Sequence, residues 1–224
     1  MPRTGYQDDL DDLRGDVLAM GQLVLGRLDD GLEALRTGDE SLAREVAEGD
    51  ATVNERYLEL ESRCIDLFAL QQPVAGDLRF VAASFKILTD LERIADLAAN
   101  LGRYALAGDE SLVPEVSVGD IGTAARDLVA RSLDAYADRD AAACRAIHED
   151  DDTVDALCGR ASEAVARDLV EREAATDAWE LERLLDDVSQ LLLTVRDLER
   201  VADHAVNIAA RTLYMVESDP ELIY

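Results

Sequence analysis

Lysine is almost missing from this chain. Of its 224 residues only Lys86 carries an ammonium; the other basic residues are arginines, and Lys and Arg together number 22 against 49 acids, a net charge of −27. No basic tract offsets that charge, so the surface repels nucleic-acid phosphates and anionic lipid head groups, which argues against direct DNA binding. It fits a well-solvated exterior and a protein working in high intracellular salt, as in a halophile, where screening relieves self-repulsion. Proline is scarce as well: Pro2, Pro73, Pro114 and Pro220 are the only four. Cys64, Cys144 and Cys158 form no CxxC pair and leave an odd number, which suits buried thiols in a reducing compartment rather than a disulfide framework. The opening MPRTGYQDDLDDL has no apolar centre to serve as a secretory signal, and no apolar run approaches the roughly 18–20 residues that span a bilayer. These absences lead us to expect a soluble, cytoplasmic protein.

What is present is helix-forming. Hydrophobic residues make up 48%, enough for a packed core, and Leu, Ala, Glu and Arg are abundant. From Leu10 the apolar positions Leu13, Val17, Met20, Val24, Leu28, Leu32 and Leu35 fall at steps of three and four, one long amphipathic helix. Gly38 and Asp39 supply its stop and the next N-cap. A second helix carries Leu42, Val46, Val53, Tyr57, Leu60, Cys64 and Leu67 as far as Gln71 and Pro73; a third follows Leu78, Val81, Phe85 and Leu88. Gly108, Pro114 and Gly119 lie in the one long loop-like stretch and set the boundary between residues 1–110 and 111–224. A fourth helix turns near Asp138–Asp140 into a fifth, and a sixth runs from near Thr176 to about Val216, leaving Asp219–Tyr224 as a loose tail.

The second half repeats the first. Asp39 and Asp140, Arg44 and Arg145, and Thr52-Val53-Asn54 and Thr153-Val154-Asp155 all keep a shift of 101 residues. Residues 90–102, DLERIADLAANLG, return at 197–209 as DLERVADHAVNIA, a shift of 107. The expected architecture is all-α: two tandem, sequence-related antiparallel three-helix bundles, six helices in all.

The duplicated stretch carries Glu92, Asp96 and Asn100 in one copy and Glu199, Asp203 and Asn207 in the other. At i, i+4 and i+8 these oxygens form a ladder along one side of a helix. Glu92 stands where the apolar count expects a hydrophobe, and local rules tend to break at functional sites. On the second helix of each unit, Asp50 and Asn54 match Asp151 and Asp155. An antiparallel turn would bring each pair beside the ladder of the same half. Clustered carboxylates repel unless a proton or cation intervenes, and all-oxygen donors point to hard divalent or trivalent ions such as Mg, Mn or Fe. Ala95 and Ala202 occupy the positions where di-iron bundle enzymes place a histidine, so the sites read as structural or sensory. The plainer alternative is a salt-bridged helix face made by Glu92, Arg93 and Asp96. His148 and His204 read as partly buried histidines, although His204, next to Asp203, could supply a nitrogen ligand; Trp179 reads as a packing residue.

Two copies of D-L-E-R-[IV]-A-D, each followed four residues later by Asn, together with LQQPVAGDLRFVAASFKILTDLER at 70–93, resemble the PhoU family of phosphate-uptake regulators. The family's usual motif has Gly where this chain has Ala95 and Ala202. The resemblance covers about residues 8 to 216. It implies a cytoplasmic, non-enzymatic protein that bears metal on its acidic motifs. That protein would restrain phosphate uptake through the ATPase subunit of the phosphate ABC transporter and repress phosphate-starvation signalling through a membrane sensor kinase. By position, Glu92/Asp96, Glu199/Asp203 and Asp151/Asp155 match the family's acidic motifs. Asp50/Asn54 departs from them, so the first site is expected to be the weaker. Open seams on helical bundles often pair, which makes a homodimer the expected state. The competing class is a carboxylate-bridged metal-dependent hydrolase, for which the chain offers no nucleophile–base pair and no phosphate-cradling glycine loop.

Overall fold

The three-to-four spacing of apolar residues becomes helix throughout the computed structural model. It describes residues 3–49, 51–70, 75–107, 117–173 and 178–222, with side chains at 5–49, 51–69, 75–107, 117–171 and 182–222. The helices are α1 (Arg3–Thr37), α2 (Glu40–Glu48), α3 (Ala51–Leu70), α4 (Ala75–Ala107), α5 (Val118–Asp138), α6 (Ala141–Glu173) and α7 (Ala178–Glu217). Six helices were expected; the second of the first half comes as two pieces, α2 and α3, separated at Gly49, whose carbonyl accepts a hydrogen bond from the Arg27 guanidinium. Its counterpart α6 runs unbroken for 33 residues.

The repeated turn is built the same way twice. Gly38 closes α1 in the left-handed region at φ 65°, and Arg139 closes α5 there at φ 56°. Asp39 then accepts from the backbone amides of Ser41 and Leu42, and Asp140 from those of Ala142 and Ala143. A cap of this kind stabilises its helix by about 1 kcal/mol. At the interhalf boundary, Ser117 caps α5 through the amide of Asp120, so Gly119 is helical rather than part of the loop. Residues 108–116, where the division between halves was placed, lie outside the described residues, as do Pro73 and Thr176. Leu78, expected in the seam, is exposed; Phe80 is buried in its place, next to the expected Val81.

α4 packs on α1, α2, α3 and α7, and α7 packs on α4, α5 and α6, so the halves share one continuous core. Reciprocal contacts join them. Leu133 of α5 covers Gly21 of α1, and Leu32 of α1 covers Gly122 of α5; at a shift of 101 these are the same contact made twice. A side chain at Gly21 would meet Leu133 Cδ2 at 2.6 Å. Between α4 and α5, Phe80 stacks on Tyr136 with ring centroids 6.3 Å apart, and Ser84 Oγ lies 2.7 Å from the Tyr136 hydroxyl. The C-terminal segment is not loose over its described part. Leu222 is buried, and Glu221 with Glu217 pairs with Arg145 of α6. Among the described residues no helix is long and apolar enough to cross a membrane.

Candidate metal centre

In the second half α6 and α7 run antiparallel, with Cys158 Sγ 3.9 Å from the Val195 carbonyl. Asp151, Asp155, Glu199 and Asp203 lie within electrostatic reach of one another across this pair of helices. Their electrostatics report the proximity. Burial first, then Asp155 and Asp203, push the Asp151 carboxyl up to about 6, partly offset by His148. Burial and the same two aspartates raise Glu199. Burial and Asp155 raise Asp203, against His204 and Arg200. Cys158, whose thiol burial pushes up to about 12, feels all four acids and stays protonated. The four acids therefore form one field in which burial and mutual repulsion outweigh the opposing charges of His148, Arg196, Arg200 and His204.

Two buried atoms there have no hydrogen-bond partner: Asp151 Oδ1 and His148 Nδ1, one helical turn apart on α6. An unsatisfied buried acceptor costs about 1–3 kcal/mol, and a cation is one way to satisfy it. Hard oxygen donors facing one another across two helices suit such an ion. As the side chains stand, no three His, Cys, Asp or Glu among the described residues come together closely enough to hold a metal ion. Asn207 lies one turn beyond Asp203 and is exposed.

The first half is built differently. Asp50 lies outside the described residues, and Asn54 is half-buried on α3. Glu92 is raised by burial and by Asp96, and lowered by Arg93 and His204. Arg93 pairs with Glu92 at 3.5 Å and with Asp96 at 3.8 Å, the salt-bridged face weighed as the alternative. In the second half the matching Arg200 forms no ion pair with Glu199 or Asp203. Asn100 is committed elsewhere: its amide donates to Asp197 Oδ2 at 2.9 Å, and its oxygen accepts from Arg103 at 2.5 Å.

The pseudo-symmetric seam between α4 and α7 holds residues whose role the sequence left unread. Asp197, 5% exposed, accepts from Asn100 and from the Tyr104 hydroxyl at 2.8 Å. Burial and that bond to Asp197 push Tyr104 up to about 12. At the matching place in the first repeat, Asp90 accepts from His204 Nδ1 at 3.0 Å. His204 thus reaches across to the first half's acids rather than turning to Asp203 alone. The match of Asp90 with Asp197 in the repeat was the signal for this seam; the i, i+3 spacing of His148 and Asp151 was the signal for the histidine.

The PhoU domain family model matches this chain twice, at residues 17–105 and 118–212. The chain is 35% identical over 214 residues to a phosphate-specific transport system accessory protein PhoU homolog of Pseudomonas aeruginosa, covering 94% of this chain and 85% of that protein. It is 30% identical to the Escherichia coli phosphate-specific transport system accessory protein PhoU, over 95% of this chain and 85% of that one. Its fold superposes on the crystal structure of PhoU from Pseudomonas aeruginosa with a TM-score of 0.86 at 32% identity, over 96% of this chain and 100% of that chain. For the phosphate transport system regulatory protein PhoU from Streptococcus pneumoniae the TM-score is 0.84 at 26% identity, over 96% and 98%.

Proposed function

This chain belongs to the PhoU family, and from that premise we propose that it is a cytoplasmic, non-enzymatic accessory regulator of phosphate uptake. It acts as a metal-bearing adaptor that restrains the phosphate ABC transporter through its ATPase subunit and quiets phosphate-starvation signalling through the membrane sensor kinase, as a homodimer. The observation that carries this reading is the coincidence of two things. Both halves match the family model, and each matched segment includes its half's candidate ligands, from Asp50 to Asn100 in one and Asp151 to Asn207 in the other.

In the second half Asp151, Asp155, Glu199 and Asp203 would hold a hard divalent or trivalent cation, Fe, Mn or Mg. Glu92 and Asp96 would do so in the first, with Asn54 and Asp50. A bound ion would add to the positive charge that Arg196, Arg200, His148 and His204 already bring to the second-half acids. The protein's own part is to present carboxylates from two helices of each bundle, so that occupancy and bundle geometry are linked. The charge distribution suits an adaptor that meets basic surfaces and avoids lipid.

The test is capture of the transporter ATPase subunit by the purified chain, with and without chelator, beside the Asp203→Ala variant. Capture that needs metal and is lost in the variant is expected. No capture in any state would sink the adaptor reading. Sustained phosphate-ester turnover by metal-loaded protein, lost in Glu199→Gln, would replace it with the hydrolase.

A further inference from the structure

The side of the helix that carries each acidic ladder continues toward the N-terminus as an apolar stripe. Leu78 stands fourteen residues before Glu92, and Leu185 fourteen before Glu199. About four turns of unbroken helix separate each leucine from its glutamate, so the two share one side. Leu78 is 44% exposed and Leu185 46%. Between them and the acids lie Ala82 and Phe85 on α4, and Ser189 and Leu192 on α7. Ala82, Ser189 and Leu192 are exposed, and Phe85 is half-buried.

One exposed leucine is ordinary, but the same leucine left uncovered in both repeats is a duplicated feature. Other exposed apolar side chains occur in one half only: Leu58 and Ile65 of α3 correspond to Gly159 and Ala166 of α6. Gln190 at the Tyr104 carbonyl and His204 at Asp90 set α4 and α7 antiparallel. The two leucines therefore stand at opposite ends of that pair, roughly 45 Å apart along the helix axes. Each stripe runs into carboxylates, Glu92 and Asp96 or Glu199 and Asp203. Arg93, Arg196 and Arg200 stand near them, but the whole chain carries 49 acids against 22 basic residues. Like charge opposes a second copy of this chain on such a face, and opposite charge favours a basic partner.

We propose that each half has its own docking face, centred on Leu78 in one and Leu185 in the other, and that one chain takes two identical partner subunits. Each subunit brings an apolar anchor for the leucine stripe and basic side chains for the carboxylates beyond it. The proposal rests on the adaptor reading above and names the surface through which that adaptor makes contact. The apolar anchor supplies affinity, and the charge steers the encounter and fixes its orientation.

The experiment titrates the full chain, with metal present throughout, against the purified transporter ATPase subunit, and reads stoichiometry by light scattering and affinity by calorimetry. Expected are two ATPase subunits per chain at saturation, one in Leu78→Asp or in Leu185→Asp, and affinity at least about tenfold weaker when both are changed. Affinity should also fall as KCl rises. Binding at one subunit per chain, or binding unchanged in the double variant, would overturn the proposal and leave the adaptor reading standing. So would an affinity indifferent to KCl, or binding lost in Leu58→Asp but kept in the double variant. If the double variant instead turned dimers of this chain into monomers, the face would belong to a second copy and the proposal would fall. No binding by the parent in any metal state would remove the adaptor reading and this proposal together. Circular dichroism of each variant separates loss of a contact from loss of fold.

Discussion

Asp151 holds its proton to about pH 6 in the folded chain and releases it near the ordinary 3.8 when unfolded. Between those values the native state binds more protons than the unfolded one, so stability falls as pH rises through that window. The contribution is fully present below about pH 4 and gone above 6. Glu199 and Asp203, also raised, act in the same direction. We therefore expect the melting temperature of chelator-treated protein to decline between pH 4 and 7, with a shallower decline in Asp151→Asn. A decline of equal steepness in that variant would mean that the general acidity of the chain, not this carboxyl, sets the slope. A cation needs the carboxylate, so metal affinity should strengthen over the same interval in which metal-free stability weakens.

Among the elements, α2 is the one whose placement depends on a single missing side chain. Gly102 of α4 lets the α2 backbone approach, and its added Cβ would meet main-chain atoms that cannot swing away. Gly102→Val should cost about 1–3 kcal/mol in urea denaturation, the usual penalty for overpacking a tight contact. Val is a better helix former than Gly by a few tenths of a kcal/mol, so neutrality or gain would show that α2 yields easily and that the contact is soft. The break of the second helix into α2 and α3 belongs to this scale too. Steps of three and four pass through Val46 and Val53 without a flaw. The interruption begins at Gly49, whose carbonyl is taken by an arginine 22 residues away.

For the whole molecule, the excess of 49 acids over 22 basic residues means that folding concentrates like charge. Many of the ion pairs, Arg36–Glu33 and Arg44–Glu40 among them, are exposed and lie within one helix, where solvent screens them and they do little to offset the excess of negative charge. Screening should therefore stabilise the fold, and the melting temperature should rise from dilute buffer to molar salt. A neutral salt such as KCl is the appropriate titrant, because sulfate strengthens apolar burial in any protein. A melting temperature indifferent to KCl would remove the case for a halophilic setting.

The helices, their order and the duplication were legible in the letters, because apolar spacing and the fixed shifts of 101 and 107 are local or countable properties. The caps at Asp39 and Asp140 were legible for the same reason: an N-cap acts within three residues. The acidic ladder could be read, and so could the substitution of Asn54 for an acid. Only the tertiary structure decided which ladder oxygens remain available. Asn100 and Asn207 are the same letter in the same motif, yet Asn100 is bound to Asp197 across the seam and Asn207 is exposed, because the halves meet there as unequal copies. Nor does a pattern of letters say that Arg93 pairs with its ladder and Arg200 does not, or that His204 leans across to Asp90. Those outcomes depend on which side chain stands opposite, a property of helix register and approach that no spacing within one helix contains.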